Sequence, residues 1–387
     1  MIPYGKQHID QDDINAVVET LKSDYLTTGS KVQEFEQKFA EYVGSKYAVA
    51  VSSGTAALHL TILASNIKPD DEVITTPMSF SATVNCIEYV GGITVFADID
   101  KVTSNISPDE IKNKITNKTK AIIPVHYTGL PCDMECIYKI AKNNNLIIIE
   151  DACHALGAGY RGSTIGDCEY SNMTVFSFHP VKHITTGEGG CITTNSEELY
   201  NKLLKLRNHG IERKNDWFYN IKELGFNYRL TDFQCALGVS QLNKIDKFLG
   251  KRRNIAYTYN EEFENLLIEL PYDNVELYYH AYHLYVIKLK NYSQRGRLYE
   301  CLKKYNILTQ VHYIPIHTLS YYKNKYRYNW GDFPNAEDHY QRCLSLPIYP
   351  AMSEEDIEYV INSVKEVLTD EDYHNFTSTN DFNETSW

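Results

Sequence analysis

Membrane-spanning and secretory features are missing from this sequence. No stretch of the 387 residues approaches the eighteen uninterrupted apolar positions that a transmembrane helix needs. The first ten residues, MIPYGKQHID, contain no apolar core of the kind found in a secretory signal. We therefore expect a cytoplasmic protein without a membrane partner.

Paired cysteines and an excess of positive charge are also missing. The nine cysteines are an odd number without a repeating spacing, and only Cys132 and Cys136 lie close together. Because no second pair stands nearby to complete a zinc site, we expect reduced, mostly structural cysteines and no metal centre. The formal net charge of −12 argues against non-specific binding to nucleic acid.

The chain does contain enough apolar material for a large domain and a smaller one. It has 387 residues, of which 43% are hydrophobic, and this length exceeds one minimal core. We expect a large domain over 1–248 that includes an N-terminal arm, and a small C-terminal domain over 249–368. Residues 369–387 carry five acidic residues without lysine or arginine, so we expect a disordered tail.

Strand-like and helical segments alternate between about residues 33 and 195. Short apolar runs predict strands at 47–51, 72–76, 93–99, 120–125 and 146–150, with helical patterns between them. This alternation is typical of an α/β fold in which helices cover both faces of a largely parallel sheet.

The second half of the chain has two helix-start signals of the capping-box type. They are pairs of residues three positions apart, Asn195 with Glu198 and Thr231 with Gln234. The second pair should open one long helix toward residue 265. The remaining expected elements are strands near 283–289 and 308–313 and helices near 294–305 and 354–368.

Lys182 is the most informative residue, because it lies in the segment FSFHPVKHITTGEGG, from Phe176 to Gly190. An amine on a glycine-rich loop after a strand lies where α/β folds place their sites. A lysine there can form a Schiff base with the aldehyde of pyridoxal 5'-phosphate. The alternative is a solvated surface lysine.

The segment EDACHALGAGY, upstream of Lys182, has two further candidates. Asp151 follows a predicted strand, so its carboxylate can hold the pyridine nitrogen of the cofactor protonated, although it could instead cap a helix. His154, three residues later, can bond the ring hydroxyl.

Phosphate and ring contacts are expected at two other strand ends. In SSGTAALHL, Gly54 lets the backbone approach an anion, and Thr55 offers a hydroxyl at a helix N-terminus. In TTPMSFSAT, Phe80 can stack on a flat ring, or it can belong to the core.

In order and spacing, these segments resemble the DegT/StrS-type sugar aminotransferases, a fold-type I family that uses pyridoxal 5'-phosphate. The resemblance covers roughly residues 1–368 and includes GFNYRLTDFQCALGVSQL, from Gly225 to Leu242. It implies a large, mostly parallel sheet domain of the seven-stranded type with a smaller α+β C-terminal domain. It also implies a homodimer with sites at the subunit interface, a nucleotide-linked keto-sugar as amino acceptor and glutamate as donor.

The resemblance further implies a role for each matching position. Lys182 would hold the cofactor, Asp151 would bind its pyridine nitrogen, and His154 would lie beside its phenolic oxygen. The remaining implied contacts are Phe80 for ring stacking, Gly54, Thr55 and Ser177 for the phosphate, and Arg229 and His312 for the substrate. Asn227 would reach across the subunit interface to the cofactor phosphate bound in the other subunit.

Within the family, FSFHPVKHITTGEGG and QVHYIPIH, from Gln310 to His317, are similar to the subgroup of the pseudaminic acid pathway. That subgroup aminates C4 of UDP-2-acetamido-2,6-dideoxy-β-L-arabino-hex-4-ulose. His183 departs from its pattern, in which proline usually follows the lysine. Another nucleotide-linked 4-keto sugar, of bacillosamine or viosamine type, is the alternative substrate.

Other activities are weighed against transamination. A related dehydratase subgroup has histidine at the lysine position, so Lys182 favours transamination. An aldolase-like lyase would share Lys182 and Asp151. A non-enzymatic regulatory or binding protein would have little reason to keep the lysine, aspartate, histidine and serine together. A hydrolase built on Ser177 and His179 lacks the G-x-S-x-G turn.

Overall fold

The computed structural model describes residues 1–369. The predicted acidic tail, 369–387, lies outside the described residues except for Thr369, which ends the last helix. Among residues 1–369, no helix has both the length and the apolar composition that crossing a membrane requires.

The described chain alternates strands and helices through its first half and is mainly helical afterwards. The strands are β1 (Tyr47–Val51), β2 (Glu72–Thr75), β3 (Ile93–Phe96), β4 (Thr119–Ile123), β5 (Ile147–Asp151), β6 (Gly159–Tyr160), β7 (Ser163–Thr164), β8 (Met173–Ser177), β9 (Gly190–Thr194), β10 (Ile211–Arg213), β11 (Tyr219–Ile221), β12 (Tyr278–Tyr279), β13 (Tyr285–Lys288) and β14 (Cys343–Leu346). The α-helices are α1 (Gln11–Leu21), α2 (Ser30–Val43), α3 (Gly54–Ala64), α4 (Ala82–Glu88), α5 (Pro108–Lys114), α6 (Met134–Asn144), α7 (Glu197–Arg207), α8 (Asp232–Leu242), α9 (Ile245–Phe263), α10 (Tyr292–Lys304), α11 (Ser320–Tyr326), α12 (Pro334–Arg342) and α13 (Glu354–Thr369).

A seven-stranded sheet, in the order β1-β9-β8-β5-β4-β2-β3, lies at the centre of the fold. Strands β8, β5, β4, β2 and β3 run parallel to one another. Strand β9 is antiparallel to both β1 and β8. The sequence-based prediction of a largely parallel sheet is therefore confirmed.

Both faces of this sheet are covered, because successive strand residues belong to different apolar clusters. On β4, Ile122 packs in one cluster with Phe35 and Phe39 of α2. Its neighbour Ile123 packs in a second cluster with Leu58 and Leu60 of α3. A strand that is buried on two faces needs an uninterrupted apolar run, which explains the Val- and Ile-rich pattern in the sequence.

The C-terminal part has a smaller core around the antiparallel pair β13 and β14, with apolar residues from α9, α10 and α13. The predicted strand at 308–313 is wrong. That segment makes a single bridge, Gln310 to Ser345, and β14 instead pairs with β13. The backbone leaves the sheet after this bridge, so Tyr313 donates its N–H to Met78 Sδ at 3.3 Å.

Two helix predictions also need correction. Ser196 rather than Asn195 caps α7, since its side chain accepts from Leu199 N. The predicted start at Thr231 is confirmed, because Gln234 Oε1 accepts from Thr231 Oγ1 at 2.7 Å. The long helix, however, is two helices, α8 and α9, separated at 243–244. The proposed domain boundary after residue 248 falls inside α9, and the division stays a prediction.

Candidate active site

A cavity of about 490 Å³ lies where the C-terminal ends of β5 and β8 meet the N-terminus of α3. The carboxyl ends of the strands are where open α/β sheets place their ligands. Eight of the ten predicted site residues line it: Gly54, Thr55, Phe80, Asp151, His154, Ser177, Lys182 and His312.

Lys182 extends into this cavity from the loop after β8, where its backbone N–H donates to His179 O at 2.8 Å. Desolvation lowers the pKa of its amine below the usual 10.5, against the opposite effect of Asp151. The buried guanidinium of Arg252 adds to the lowering. The cavity therefore favours a neutral amine, which is the form that acts as nucleophile and base.

Asp151 ends β5 and is buried in the cavity wall. Its Oδ2 accepts from Thr83 Oγ1 at 2.7 Å, and its Oδ1 accepts from Cys153 N at 3.2 Å. The second bond closes a turn two residues long, and no helix begins at Asp151 in the described chain. The helix-cap alternative is therefore wrong, and the carboxylate faces the cavity.

His154 lies in the same wall, where its Nε2 is 3.0 Å from the Tyr313 hydroxyl. Burial lowers the pKa of His154 well below 6.5, and Lys182 and His312 act in the same direction. Its Nδ1 is buried without a hydrogen-bond partner among the described residues. A neutral imidazole with a spare polar atom is well suited to contact a ligand.

The N-terminus of α3 and β8 form a cradle that suits an anion. The Ser53 side chain caps α3 through Ala56 N at 3.0 Å, and the first N–H groups of the helix have no acceptor within it. A Cβ on Gly54 would lie 2.9 Å from Ser177 Cβ and 3.3 Å from Cys153 Sγ. Only glycine leaves room for a group to approach this backbone, and the hydroxyls of Thr55 and Ser177 lie beside it.

Phe80 is at the cavity mouth with 61% of its surface exposed, so the core alternative for this residue is wrong. His312 is buried, and its Nδ1 lies 2.8 Å from Ser345 Oγ. Burial lowers the pKa of His312 to about 3, which keeps it neutral.

Two predicted residues do not line the cavity. Arg229 bonds the side chain of Asn208, and Asn227 forms a backbone bridge with the same residue. The contribution of Asn227 to the site of a second subunit stays a prediction.

Sequence reasoning missed several residues of the cavity wall. They are Tyr4, Ser79, Thr83, Cys153, Glu188 and Tyr313. Thr83 and Tyr313 lie in segments that were already singled out, so their polar atoms were available as a signal. Tyr4 gave no such signal, because its place depends on the pairing of Ile2 with Ile307.

The sequence model of the DegT/DnrJ/EryC1/StrS aminotransferase family matches residues 7–365. Over 95% of its length, the chain is 47% identical to an uncharacterized protein, MJ1066, of Methanocaldococcus jannaschii, of which 98% is covered. It is 39% identical to the UDP-4-amino-4,6-dideoxy-N-acetyl-beta-L-altrosamine transaminase of Campylobacter jejuni, over 95% of this chain and 98% of that protein. It is 36% identical to the GDP-perosamine synthase of Escherichia coli O157:H7, over 95% and 99%.

Solved structures agree with this assignment. PseC of Helicobacter pylori, an aminotransferase involved in the biosynthesis of pseudoaminic acid, superimposes with a TM-score of 0.90 at 34% identity, covering 95% of this chain and 99% of that one. The PLP-form of Spr1654 from Streptococcus pneumoniae gives a TM-score of 0.90 at 31% identity, covering 94% and 98%. The anion cradle, the carboxylate and the amine described above fit pyridoxal phosphate. The chain therefore belongs to the DegT/DnrJ/EryC1/StrS aminotransferase family and is a sugar aminotransferase that uses this cofactor.

Proposed function

We propose that this protein transfers the amino group of glutamate to C4 of UDP-2-acetamido-2,6-dideoxy-β-L-arabino-hex-4-ulose. The product would be UDP-4-amino-4,6-dideoxy-N-acetyl-β-L-altrosamine, an intermediate of pseudaminic acid biosynthesis. The observation that carries the reaction type is the convergence of Lys182, Asp151 and His154 on one cavity beside the anion cradle. The sugar is supported by similarity to two proteins, the UDP-4-amino-4,6-dideoxy-N-acetyl-beta-L-altrosamine transaminase of Campylobacter jejuni and PseC of Helicobacter pylori, of which the second is involved in the biosynthesis of pseudoaminic acid.

Pyridoxal phosphate supplies an electron sink for the carbon that loses its proton. Around it, each residue has a separate task. The cradle of Gly54, Thr55 and Ser177 binds the phosphate. Asp151 offers a carboxylate oxygen to the pyridine nitrogen, and Phe80 offers a ring face.

Lys182 has two tasks, both at Nζ. It would bind the cofactor between turnovers, and, when the amino donor has displaced it, the free amine would take up the proton from the α-carbon of the donor. This second task needs an unprotonated amine, and desolvation acts in that direction because it lowers the pKa of Lys182. With the keto-sugar bound, the transfer would run in reverse, and the same amine would give a proton to C4 of the sugar.

The sugar would lie against the part of the cavity wall that Tyr4, His312 and Tyr313 form. The Tyr4 and His312 rings are 5.5 Å apart. We propose His312 rather than Arg229 as a substrate contact within this chain, since Arg229 lies outside the cavity. His183 does not weaken the sugar assignment, because its buried ring bonds Ala281 O at 3.1 Å and is not part of the cavity lining.

We also propose a homodimer. Apolar side chains are exposed on the β10–β11 hairpin, namely Trp217, Tyr219 and Ile221, and on α1, namely Ile14, Val18 and Leu21. Large exposed apolar patches mark interaction sites, so we propose that both elements contribute to the subunit interface. The hairpin lies six residues before Asn227, the residue expected to reach the neighbouring subunit.

Two measurements test the proposal. Glutamate alone should convert the cofactor to its amine form, with a change in visible absorbance, whereas an aldolase-like lyase would not give this half-reaction. The amine form should then be consumed by the β-L-arabino keto-sugar faster than by other UDP- and GDP-linked 4-keto-6-deoxy sugars. Preference for another sugar of the panel would contradict the proposed substrate and leave the aminotransferase assignment standing. The identity to GDP-perosamine synthase makes a GDP-linked keto-sugar the second candidate.

A further inference from the structure

Two buried hydroxyl groups connect the segment that carries Phe80 to the carboxylate of Asp151. Thr83 Oγ1 lies 2.7 Å from Asp151 Oδ2, and Ser79 Oγ lies 2.7 Å from Thr83 Oγ1. The three residues are between 1% and 5% exposed, and all of them line the cavity. Thr83 stands on α4, directly after the loop that presents Phe80.

The direction of this chain of hydrogen bonds follows from the hydrogens available. A threonine hydroxyl has one hydrogen, and an ionised carboxylate can only accept. Thr83 must therefore donate to Asp151, and its oxygen must accept from Ser79. Both hydroxyl dipoles then point toward the carboxylate, which strengthens the bond to it.

These contacts restrict how the carboxylate can turn. Thr83 holds Oδ2, and Cys153 N holds Oδ1 through a longer bond of 3.2 Å. With one bond to each oxygen, rotation about the Cβ–Cγ bond of Asp151 would break both. Each oxygen keeps a further lone pair, because a carboxylate offers about four acceptor positions. The carboxylate is thus fixed in orientation but still able to bind a donor in the cavity.

We propose that Thr83, supported by Ser79, is a positioning residue that fixes the Asp151 carboxylate for the pyridine nitrogen of the cofactor. This inference rests on the role of Asp151 given under the proposed function. It assigns to one segment, 79–83, two tasks: Phe80 faces the ring of the cofactor, and the hydroxyls on either side of it hold the group that binds the ring nitrogen.

The test uses three variants and a matched control. Thr83→Val keeps the shape of the side chain and removes the donor, Thr83→Ser keeps the donor, and Ser79→Ala removes the second hydroxyl. Thr61→Val is the control, because Thr61 is a fully buried helix threonine that does not line the cavity and makes no bond to Asp151, and its hydroxyl donates to Leu58 O at 2.8 Å. Each protein is stripped of cofactor and titrated with pyridoxal phosphate, and the pH dependence of the visible band of the reloaded enzyme is recorded.

Thr83→Val should weaken the binding of pyridoxal phosphate about tenfold, as loss of a hydrogen bond to a charged group implies. It should also shift the pH at which the visible band changes, in the direction in which Asp151→Asn shifts it. Thr83→Ser should restore both values, Ser79→Ala should give a smaller change of the same sign, and Thr61→Val should give none.

Unchanged binding and unchanged pH dependence in Thr83→Val would overturn the inference. The inference would also be overturned if Thr83→Val and Thr83→Ser lost the same affinity for pyridoxal phosphate. A loss of that size in the Thr61→Val control would overturn it too, since either result would show a packing effect. If Thr83→Val does not fold, Ser79→Ala decides by the same two measurements. Asp151→Asn separates this inference from the proposed function: if that variant leaves both measurements unchanged, the role of Asp151 itself fails.

Discussion

Replacing Gly54 by alanine should weaken the binding of pyridoxal phosphate without unfolding the protein. The added methyl group would lie 2.9 Å from Ser177 Cβ, which is too close for two carbon atoms. Ser177 Cβ is attached directly to the backbone of β8, so it cannot move away by a change of rotamer. Either α3 or the end of β8 has to shift, and the Ser177 hydroxyl shifts with it.

The size of the effect can be worked out from these contacts. Overpacking of this kind costs about 1–3 kcal/mol of stability. Part of this cost is offset, since alanine is preferred over glycine in a helix by up to about 1 kcal/mol. A displaced donor to a charged phosphate costs about 1.5–3 kcal/mol of binding, which corresponds to roughly a 10- to 100-fold rise in Kd.

The assay is a titration of the cofactor-free variant with pyridoxal phosphate, with unfolding followed separately by circular dichroism. Gly250→Ala is the control, because Gly250 also lies in a helix and nothing is within 4 Å of its added Cβ. That variant should be as stable as the parent, or slightly more so, and bind the cofactor equally well. If Gly54→Ala binds with the parent affinity, the cradle at the start of α3 does not hold the phosphate.

Three further predictions concern the lysine, the second subunit and the sugar. In the cofactor-free enzyme, a lowered pKa means that Lys182 loses its proton below the usual 10.5, so its labelling by an amine reagent should rise at lower pH than the labelling of surface lysines. A labelling midpoint at or above the pH midpoint of the surface lysines would contradict this. Activity should recover when chains with Lys182→Ala are mixed with chains with Asn227→Ala, because each heterodimer then has one site with both residues intact. If activity does not recover although the subunits exchange, Asn227 belongs to the site of its own chain. Tyr4→Phe should raise KM for the keto-sugar about two- to tenfold and leave the glutamate half-reaction unchanged, since it removes one hydrogen-bonding hydroxyl at the cavity wall, and an equal effect on both half-reactions would exclude a role in sugar recognition.

Local sequence signals were sufficient for most strands of the sheet, although not for β9, and for the residues at its strand ends. Asp151 ends β5 and Lys182 lies on the loop after β8, and both strands have apolar runs, so the position of these residues at the carboxyl edge follows from chain order alone. Gly54 opens a helix directly after a strand for the same reason. These residues are recognisable because their surroundings are built by neighbours in sequence.

Features that depend on tertiary contacts or on unusual caps were not predictable. Helix α1 was missed although Asp10 and Asp13 form a reciprocal capping box, because aspartate replaces the glutamate or glutamine that identifies such a box. The break between α8 and α9 has no proline or glycine to mark it. The partner of β13 is β14, more than fifty residues later, and no local pattern specifies this pairing.

In the active site, the residues proposed for the cofactor and those proposed for the sugar come from different parts of the fold. The strand ends and α3 provide the residues proposed for the cofactor, and these belong to one sheet with a fixed register. Tyr4, His312 and Tyr313 come instead from the N-terminal arm and from the segment beside β14. The arm is held to this C-terminal part, because Ile2 N donates to Asn306 O and Ile348 N donates to Tyr4 O. Substitutions in the arm or in 310–317 are therefore expected to change this part of the wall and leave the cofactor residues in place, except at Tyr313, whose hydroxyl lies 3.0 Å from His154 Nε2. We therefore expect the determinants of sugar choice in these two segments.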